Sequence, residues 1–109
     1  MANDTLGDVL TRLYDTLNAR KDADPKTSYT AKLLQGGPAQ CAKKFGEEAI
    51  ETVIAGSQSD RVALCEEAAD TLYHLLVLMV SVDATPGDIA RVLANREGVS
   101  GHEEKASRK

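Results

Sequence analysis

Residues 45–70 read FGEEAIETVIAGSQSDRVALCEEAAD, and they place five carboxylates in two short groups. The first group is Glu47-Glu48-x-x-Glu51, and the second is Glu67-x-x-Asp70. Both groups lie in helical patterns, on either side of a polar segment with a glycine that predicts a turn. Crowded acids repel one another unless a cation joins them. The stretch therefore predicts a helical hairpin whose acids surround a divalent metal ion.

The geometry of an ideal helix, with about 100° and ~1.5 Å per residue, predicts which acids face each other. Glu48 should lie opposite Asp70, and Glu51 opposite Glu67, at matching levels of an antiparallel hairpin. Four carboxylates in this arrangement favour Mg²⁺, with Mn²⁺ as a second choice, over softer metals. A metal held this way can bind phosphate groups and activate water, so hydrolysis of a polyphosphate is the predicted chemistry. The alternative is an acidic helix face that is simply solvated.

The rest of the chain also favours helices, because apolar residues recur at spacings of three and four and never alternate for long. We expect an all-α, antiparallel bundle of four to five helices that forms a single domain over residues 1–109. Gly56 should end one helix, and Ser59 or Asp60 should cap the next. The charged tail that follows residue 97 should be mobile on its own. The expected helices cover residues 4–20, 30–35, 38–55, 60–82 and 86–96.

Apolar faces on three of these helices are expected to form an aliphatic core. The segment from Leu72 to Val82 is apolar nearly all round, so a second copy of the chain should cover it in a homodimer. Cys41 and Cys65 are expected to be reduced thiols in the core. The predicted core faces are Leu6, Val9, Leu10, Leu13, Tyr14 and Leu17; Phe45, Ala49, Ile50, Val53 and Ile54; and Val62, Cys65, Ala69, Leu72, Leu76 and Met79.

Composition argues against several classes of protein. The formal charge of −4 disfavours nonspecific nucleic-acid binding, which depends on neutralising many phosphates. No apolar run reaches the ~18 residues of a membrane span, and the first residues lack the pattern of a secretory signal, so we expect a cytoplasmic protein without a membrane partner. Neither cysteine has a CxxC or CxxH neighbour, which argues against zinc.

Four blocks of sequence support a more specific interpretation. They are Ser28-Tyr29-Thr30-Ala31-Lys32-Leu33, Lys43-Lys44-Phe45-Gly46-Glu47-Glu48, Asp70-Thr71-Leu72-Tyr73-His74-Leu75-Leu76 and Ser100-Gly101-His102-Glu103-Glu104-Lys105-Ala106-Ser107-Arg108. The pattern EExxE followed by ExxD resembles the all-α nucleoside-triphosphate pyrophosphohydrolases. Within that superfamily, the four blocks in order resemble the phosphoribosyl-ATP pyrophosphohydrolases from about residue 5 onward. Phe45 and Thr71 depart mildly, because a smaller aliphatic residue and a leucine are expected there.

The resemblance implies hydrolysis of phosphoribosyl-ATP to phosphoribosyl-AMP and pyrophosphate, the second step of histidine biosynthesis. It also implies dependence on Mg²⁺ and a helical homodimer. Carried over to this sequence, the metal ligands are Glu48, Glu51, Glu67 and Asp70. The catalytic residues are Glu47 and Glu48, with Glu47 either a further ligand or the base that orients the attacking water. The substrate-binding residues are Ser28, Tyr29, Thr30, Lys32, Lys43, Lys44, Lys105 and Arg108.

Each of these residues also has a purely structural explanation. The lysines can pair with acids one turn later, Lys43 with Glu47 and Lys44 with Glu48. The hydroxyls of residues 28–30 can cap a helix. His74 can be a packed ring or a partner to a carboxylate, and the packed ring is the preferred reading. The tail cations can simply be solvated.

Three rival functions remain open at this point. A hydrolase of noncanonical nucleoside triphosphates would share the chemistry but differ in substrate. A helical module without enzymatic activity would use its acids only to bind a partner. A di-iron bundle is poorly supported, because such sites use Glu-x-x-His and Asp70 stands three residues after Glu67.

Overall fold

The computed structural model describes residues 4–98, and all regular secondary structure in this range is helical. This confirms the predicted all-α class. None of the described helices combines the length and the apolar character that crossing a membrane requires. The five helices are α1 (Leu6–Ala19), α2 (Tyr29–Gln35), α3 (Gly37–Ser57), α4 (Arg61–Ser81) and α5 (Pro86–Asn95).

Short polar side chains start four of the five helices. Asp60, rather than Ser59, caps α4 by accepting the backbone N–H of Ala63 at 3.0 Å. Thr85 and Asp88 cap α5 reciprocally, each accepting the backbone N–H of the other. Such caps satisfy donors that the first helical turn leaves unpaired. The caps therefore set the residues at which α4 and α5 begin.

The expected end of α3 at Gly56 is wrong. The helix continues through this glycine to Ser57, and the chain reverses over residues 58–60, where Ser59 takes a left-handed conformation with φ 58°. A side chain at Gly56 would lie 3.6 Å from the Leu64 methyl group Cδ1 of α4. This is an ordinary van der Waals distance, so the packing of α4 leaves room for a Cβ at Gly56.

The main contact of the fold is the antiparallel pair of α3 and α4. The helix α2 packs against both of them, α1 packs on α4, and α5 packs on α1. A hydrogen bond of 2.7 Å from the Tyr14 hydroxyl to the Ala84 carbonyl ties α1 to the segment before α5. The buried core lies between α1, α2 and the second half of α4, and consists of Leu17, Leu33, Cys41, Leu76, Val77, Met79 and Val80.

Several predicted core positions are exposed at the turn end of the hairpin. On α3, Ile50, Val53 and Ile54 are 59%, 63% and 45% exposed. On α4, Val62 is 70% exposed, and Cys65 and Ala69 are exposed as well. The helical period correctly grouped these residues on one face of each helix, but the described part of the chain has no third helix to cover that end. Cys41 is buried as predicted, whereas the prediction for Cys65 is wrong.

The segment expected to need a partner is largely covered within the chain. Of residues 72–82, Leu76, Val77, Met79 and Val80 are all buried, because α1 and α2 pack against α4 there. Val82, at 53% exposure, is the exception. Leu72 and Leu75 stay half-buried and line an apolar groove together with Ile89 and Leu93. The dimer expected from this segment therefore stays a prediction, and further exposed apolar residues lie at the turn end of the hairpin.

Candidate functional site

Three carboxylates from the two acid groups meet between α3 and α4. One oxygen each of Glu48, Glu67 and Asp70 lies within 4.8 Å of the other two. Glu48 and Glu67 are half-buried and Asp70 is exposed. The antiparallel pairing of the helices brings them together, since Glu67 and Asp70 lie one turn apart on α4 and face Glu48 on α3.

Glu51 lies beside this group rather than inside it. Its oxygen is not among the three that converge, and its side chain is exposed. Its charge is nevertheless felt by Glu67. Partial burial, and next the negative charges of Asp70, Glu51 and Glu48, raise the pKa of the Glu67 carboxyl. The like-charge crowding predicted from the sequence is therefore present, with Glu67 at its centre.

His74 closes the inner side of the acid group. The ring is 5% exposed, and its Nε2 lies 3.8 Å from Oε1 of Glu48, close but longer than a hydrogen bond. Burial lowers the pKa of His74, and the nearby Glu48 carboxylate opposes this shift. Tyr73 and Tyr29 meet the ring edge-to-face, with centroids 5.0 and 6.3 Å away. His74 is thus a packed ring, as preferred from the sequence, and also a neighbour of a carboxylate.

A pair of threonine hydroxyls joins the two acid-bearing helices. Thr71 Oγ1 donates to the Glu48 backbone carbonyl at 3.0 Å and lies 2.7 Å from Thr52 Oγ1. Thr52 Oγ1 also lies 3.4 Å from the same carbonyl, so both hydroxyls can donate to the Glu48 backbone. Sequence reasoning missed this contact. Its signals were the unexpected threonine directly after Asp70 and the spacing of four residues between Glu48 and Thr52.

Lys44 lies on the outer side of the acids and pairs with Glu47. Its Nζ is 3.5 Å from Glu47 Oε1, so the pair spans three residues and replaces the expected contact with Glu48. Glu47 is outside the three-acid group, and 53% of its side chain is exposed. Lys43 is exposed. The structure therefore places a half-buried ammonium group one turn before Glu48, paired with the half-exposed carboxylate that directly precedes Glu48.

The hydroxyl segment before α2 has mixed roles. Ser28 is buried, and its hydroxyl accepts the Ala31 N–H at 3.1 Å, as a helix cap. Thr30 is also buried and hydrogen-bonds the Tyr73 hydroxyl at 2.8 Å. Tyr29 is 53% exposed and stacks on Tyr73 with centroids 6.5 Å apart. Only Tyr29 of the three therefore presents a large surface to a ligand.

Lys32 is exposed on α2 and lines a groove together with Tyr29. Lys105 and Arg108, which were also predicted to bind substrate, lie outside the described residues.

The donor set of the acid group suits a hard cation. Glu48, Glu67 and Asp70 offer only carboxylate oxygens, the ligands that Mg²⁺ and similar ions prefer. Among the described residues, no lysine forms an ion pair with any of the three, since Lys44 pairs with Glu47 and Lys21 with Asp83. The negative charge of the group is thus left for an external cation to balance.

Comparison with known proteins gives consistent matches. A family model described as Phosphoribosyl-ATP pyrophosphohydrolase matches residues 10–97. A Paracoccus denitrificans protein named Phosphoribosyl-ATP pyrophosphatase is 59% identical over 100 residues, which cover 92% of this chain and 93% of the relative. A protein of the same name from Azospirillum brasilense is 54% identical over 93% of this chain and 91% of its own length.

Proposed function

Because the chain belongs to the phosphoribosyl-ATP pyrophosphohydrolase family, we propose that it hydrolyses phosphoribosyl-ATP to phosphoribosyl-AMP and pyrophosphate. The cleaved bond lies between the α and β phosphorus atoms, and the reaction is the second step of histidine biosynthesis. The observation that supports this most directly is the meeting of Glu48, Glu67 and Asp70 between α3 and α4. Carboxylates alone would repel a polyphosphate, so the site would act through a divalent cation that they hold, which would balance the charge where the bond breaks.

We propose Mg²⁺ as the ion at this site, with Mn²⁺ as a substitute. Glu48, Glu67 and Asp70 would hold it, and Glu51 would complete the set from the same face of α3. When bound, such an ion polarises a phosphoryl group and lowers the pKa of a coordinated water. Oxygen ligands without sulfur or nitrogen favour these ions over zinc or iron.

We propose that Glu47 accepts the proton of the attacking water. Its carboxylate is near the acid group but not within it, and it faces solvent beside Lys44. As the water oxygen bonds to phosphorus, the bridging oxygen leaves with its electron pair on pyrophosphate, and the water proton moves to Glu47. Lys44 can balance the charge that develops on the leaving pyrophosphate. His74 packs against Tyr73 and borders Glu48 on the inner side of the acid group.

The test is an assay of pyrophosphate release with phosphoribosyl-ATP and a panel of ordinary and noncanonical nucleoside triphosphates. We expect release from phosphoribosyl-ATP with Mg²⁺, none with EDTA, and much slower release from the panel. Higher kcat/KM for a noncanonical triphosphate would instead assign the chain a nucleotide-cleaning role. Binding of a protein partner without any turnover would favour the non-enzymatic module.

We also propose that the protein acts as a homodimer in the cytoplasm. Ile50, Val53 and Val62 are all more than half exposed near the turn of the hairpin, where a second copy can cover them. A two-fold dimer covers the same patch on both copies at once. Both cysteines are free thiols, which suits a reducing compartment.

A further inference from the structure

A groove beside α2 differs in charge from the rest of the molecule. It has a volume of about 620 Å³, and its lining includes Lys26, Lys32 and Tyr29 but no acidic residue. The chain as a whole carries 17 acids against 13 lysines and arginines. A cavity lined by cations alone in an acidic protein favours an anionic ligand, since the local potential opposes the net charge.

The two lysines of this groove are available to such a ligand. Both are exposed, and neither forms an ion pair with another residue of the described range. Asp24, the acid nearest to Lys26 in the sequence, turns its carboxylate to the Lys26 backbone N–H at 2.9 Å. The two ammonium groups therefore keep their charge uncompensated by a carboxylate within the groove.

The groove is connected to the acid centre by two side chains. Tyr29 forms part of its lining, and the Tyr29 ring centroid is 6.3 Å from that of His74. His74 Nε2 is in turn 3.8 Å from Glu48 Oε1. A basic groove and an acidic centre thus lie next to each other, separated by an aromatic cluster that includes Tyr73.

On the basis of the proposed function, we propose that this groove binds the phosphate monoester on the second ribose of the substrate. Phosphoribosyl-ATP has a triphosphate at one end and a ribose phosphate attached to its adenine ring at the other. A monoester carries about −1.5 to −2 charges at neutral pH and accepts several hydrogen bonds. Lys26 and Lys32 complement that charge, while the triphosphate lies at the acid centre. The groove then distinguishes phosphoribosyl nucleotides from ordinary nucleotides, which lack this group.

The experiment compares the dissociation constants of phosphoribosyl-AMP and AMP by calorimetry. The two ligands differ by the phosphorylated ribose on the adenine ring, whose phosphate the groove is assigned to bind. We expect wild-type protein to bind phosphoribosyl-AMP about tenfold more tightly or better, the factor expected for one charge-assisted phosphate contact. The double variant K26M/K32M keeps the aliphatic stems and removes both charges, so its two dissociation constants should become equal. K26R/K32R should retain the preference.

K21M is the matched control, because Lys21 is an exposed lysine that pairs with Asp83 and does not line this groove. It should bind both ligands as wild type does. Equal affinities in wild type, a preference kept by K26M/K32M, or a preference lost in K21M would each overturn the assignment. The proposed function is tested separately, and it fails if wild type releases no pyrophosphate from phosphoribosyl-ATP. The two tests are independent, because binding of the product requires no turnover.

Discussion

Among the crowded acids, Glu67 is the one whose pKa is raised. Partial burial, together with the charges of Asp70, Glu51 and Glu48, raises the pKa of its carboxyl above the ordinary 4.5. The folded chain then binds this proton more tightly than the unfolded chain does. The resulting stability is complete below the ordinary pKa and is lost as pH rises through the folded-state pKa. At neutral pH without a metal ion, the ionised Glu67 therefore destabilises the fold.

The variant E67Q should consequently be more stable than wild type in EDTA at neutral pH. The difference should shrink as the pH is lowered towards 4, where wild-type Glu67 is itself protonated. Addition of Mg²⁺ should make wild type the more stable protein. At a Mg²⁺ concentration one hundred times its dissociation constant, binding adds about 2.7 kcal/mol to the free energy of unfolding of wild type and little to that of E67Q. Thermal unfolding, followed by circular dichroism, gives the melting temperatures of both proteins in EDTA at neutral pH, at lower pH and with Mg²⁺. A lower melting temperature for E67Q in EDTA at neutral pH would contradict this account of Glu67.

The proposed metal ligands should be individually required for turnover. We expect E51Q and D70N to abolish pyrophosphate release while leaving the helical circular dichroism spectrum unchanged, since each replaces a carboxylate by an amide of the same shape. The matched control is E66Q, because Glu66 is an exposed acid next to Glu67 and is not one of the four proposed metal ligands. Activity retained in both variants, or lost equally in E66Q, would remove Glu51 and Asp70 from the mechanism.

The helices were predictable from sequence because their signals are local. The caps at Asp60 and Thr85, and the apolar period of each helix, depend on residues within one or two turns. The facing of Glu48 and Asp70 was also predictable, since it follows from the length of the turn. The end of α3 was predictable only to within two residues, since the helix continues through Gly56 to Ser57.

Contacts between helices set the limit of prediction at the site. Periodicity gives the direction of a side chain but not the rotamer, so the structural alternative for Lys44, a pair with Glu48, is replaced by a pair with Glu47. The hydroxyl pair of Thr52 and Thr71 depends on the exact register of α3 against α4. Exposure of Val53 likewise depends on which other helices reach it. Such features depend on tertiary packing and not on local sequence.

The threonine pair should hold the two acid-bearing helices in register, and T71V tests this. The change removes the bond to the Glu48 carbonyl and keeps the shape, at a cost of about 1 kcal/mol per hydrogen bond. Changes in groups that position metal ligands typically weaken metal affinity by about 10- to 100-fold. We therefore expect weaker Mg²⁺ binding by calorimetry in T71V, and near wild-type binding in T71S, which retains the hydroxyl.

The control for this pair is T16V. Thr16, like Thr71, donates its hydroxyl proton to a backbone carbonyl, that of Arg12, but this bond lies within α1 on its exposed face. Its replacement should leave Mg²⁺ affinity unchanged. If T71V and T16V bind Mg²⁺ equally well, the contact at Thr71 has no part in positioning the acids.

The exposed apolar surface of the single chain follows from how five helices share one core. The second half of α4 is covered by α1 and α2, while α3 and the first half of α4 extend beyond them towards the turn. Contiguous apolar surface of this kind usually marks a binding interface in a soluble protein. The face of α4 that is buried at Leu76 continues through Leu72 to the exposed Val62, so a second copy would extend the existing core.

We therefore expect sedimentation to show a dimer for wild type and a monomer for V53D/V62D. Val53 and Val62 are 63% and 70% exposed, so aspartate at either position is tolerated in the folded monomer but would bury an unpaired charge in the interface. V82D is the matched control, because Val82 is 53% exposed at the opposite end of α4. It should remain a dimer. A stable wild-type monomer at micromolar concentration, or a V53D/V62D dimer, would show that these residues do not form the interface.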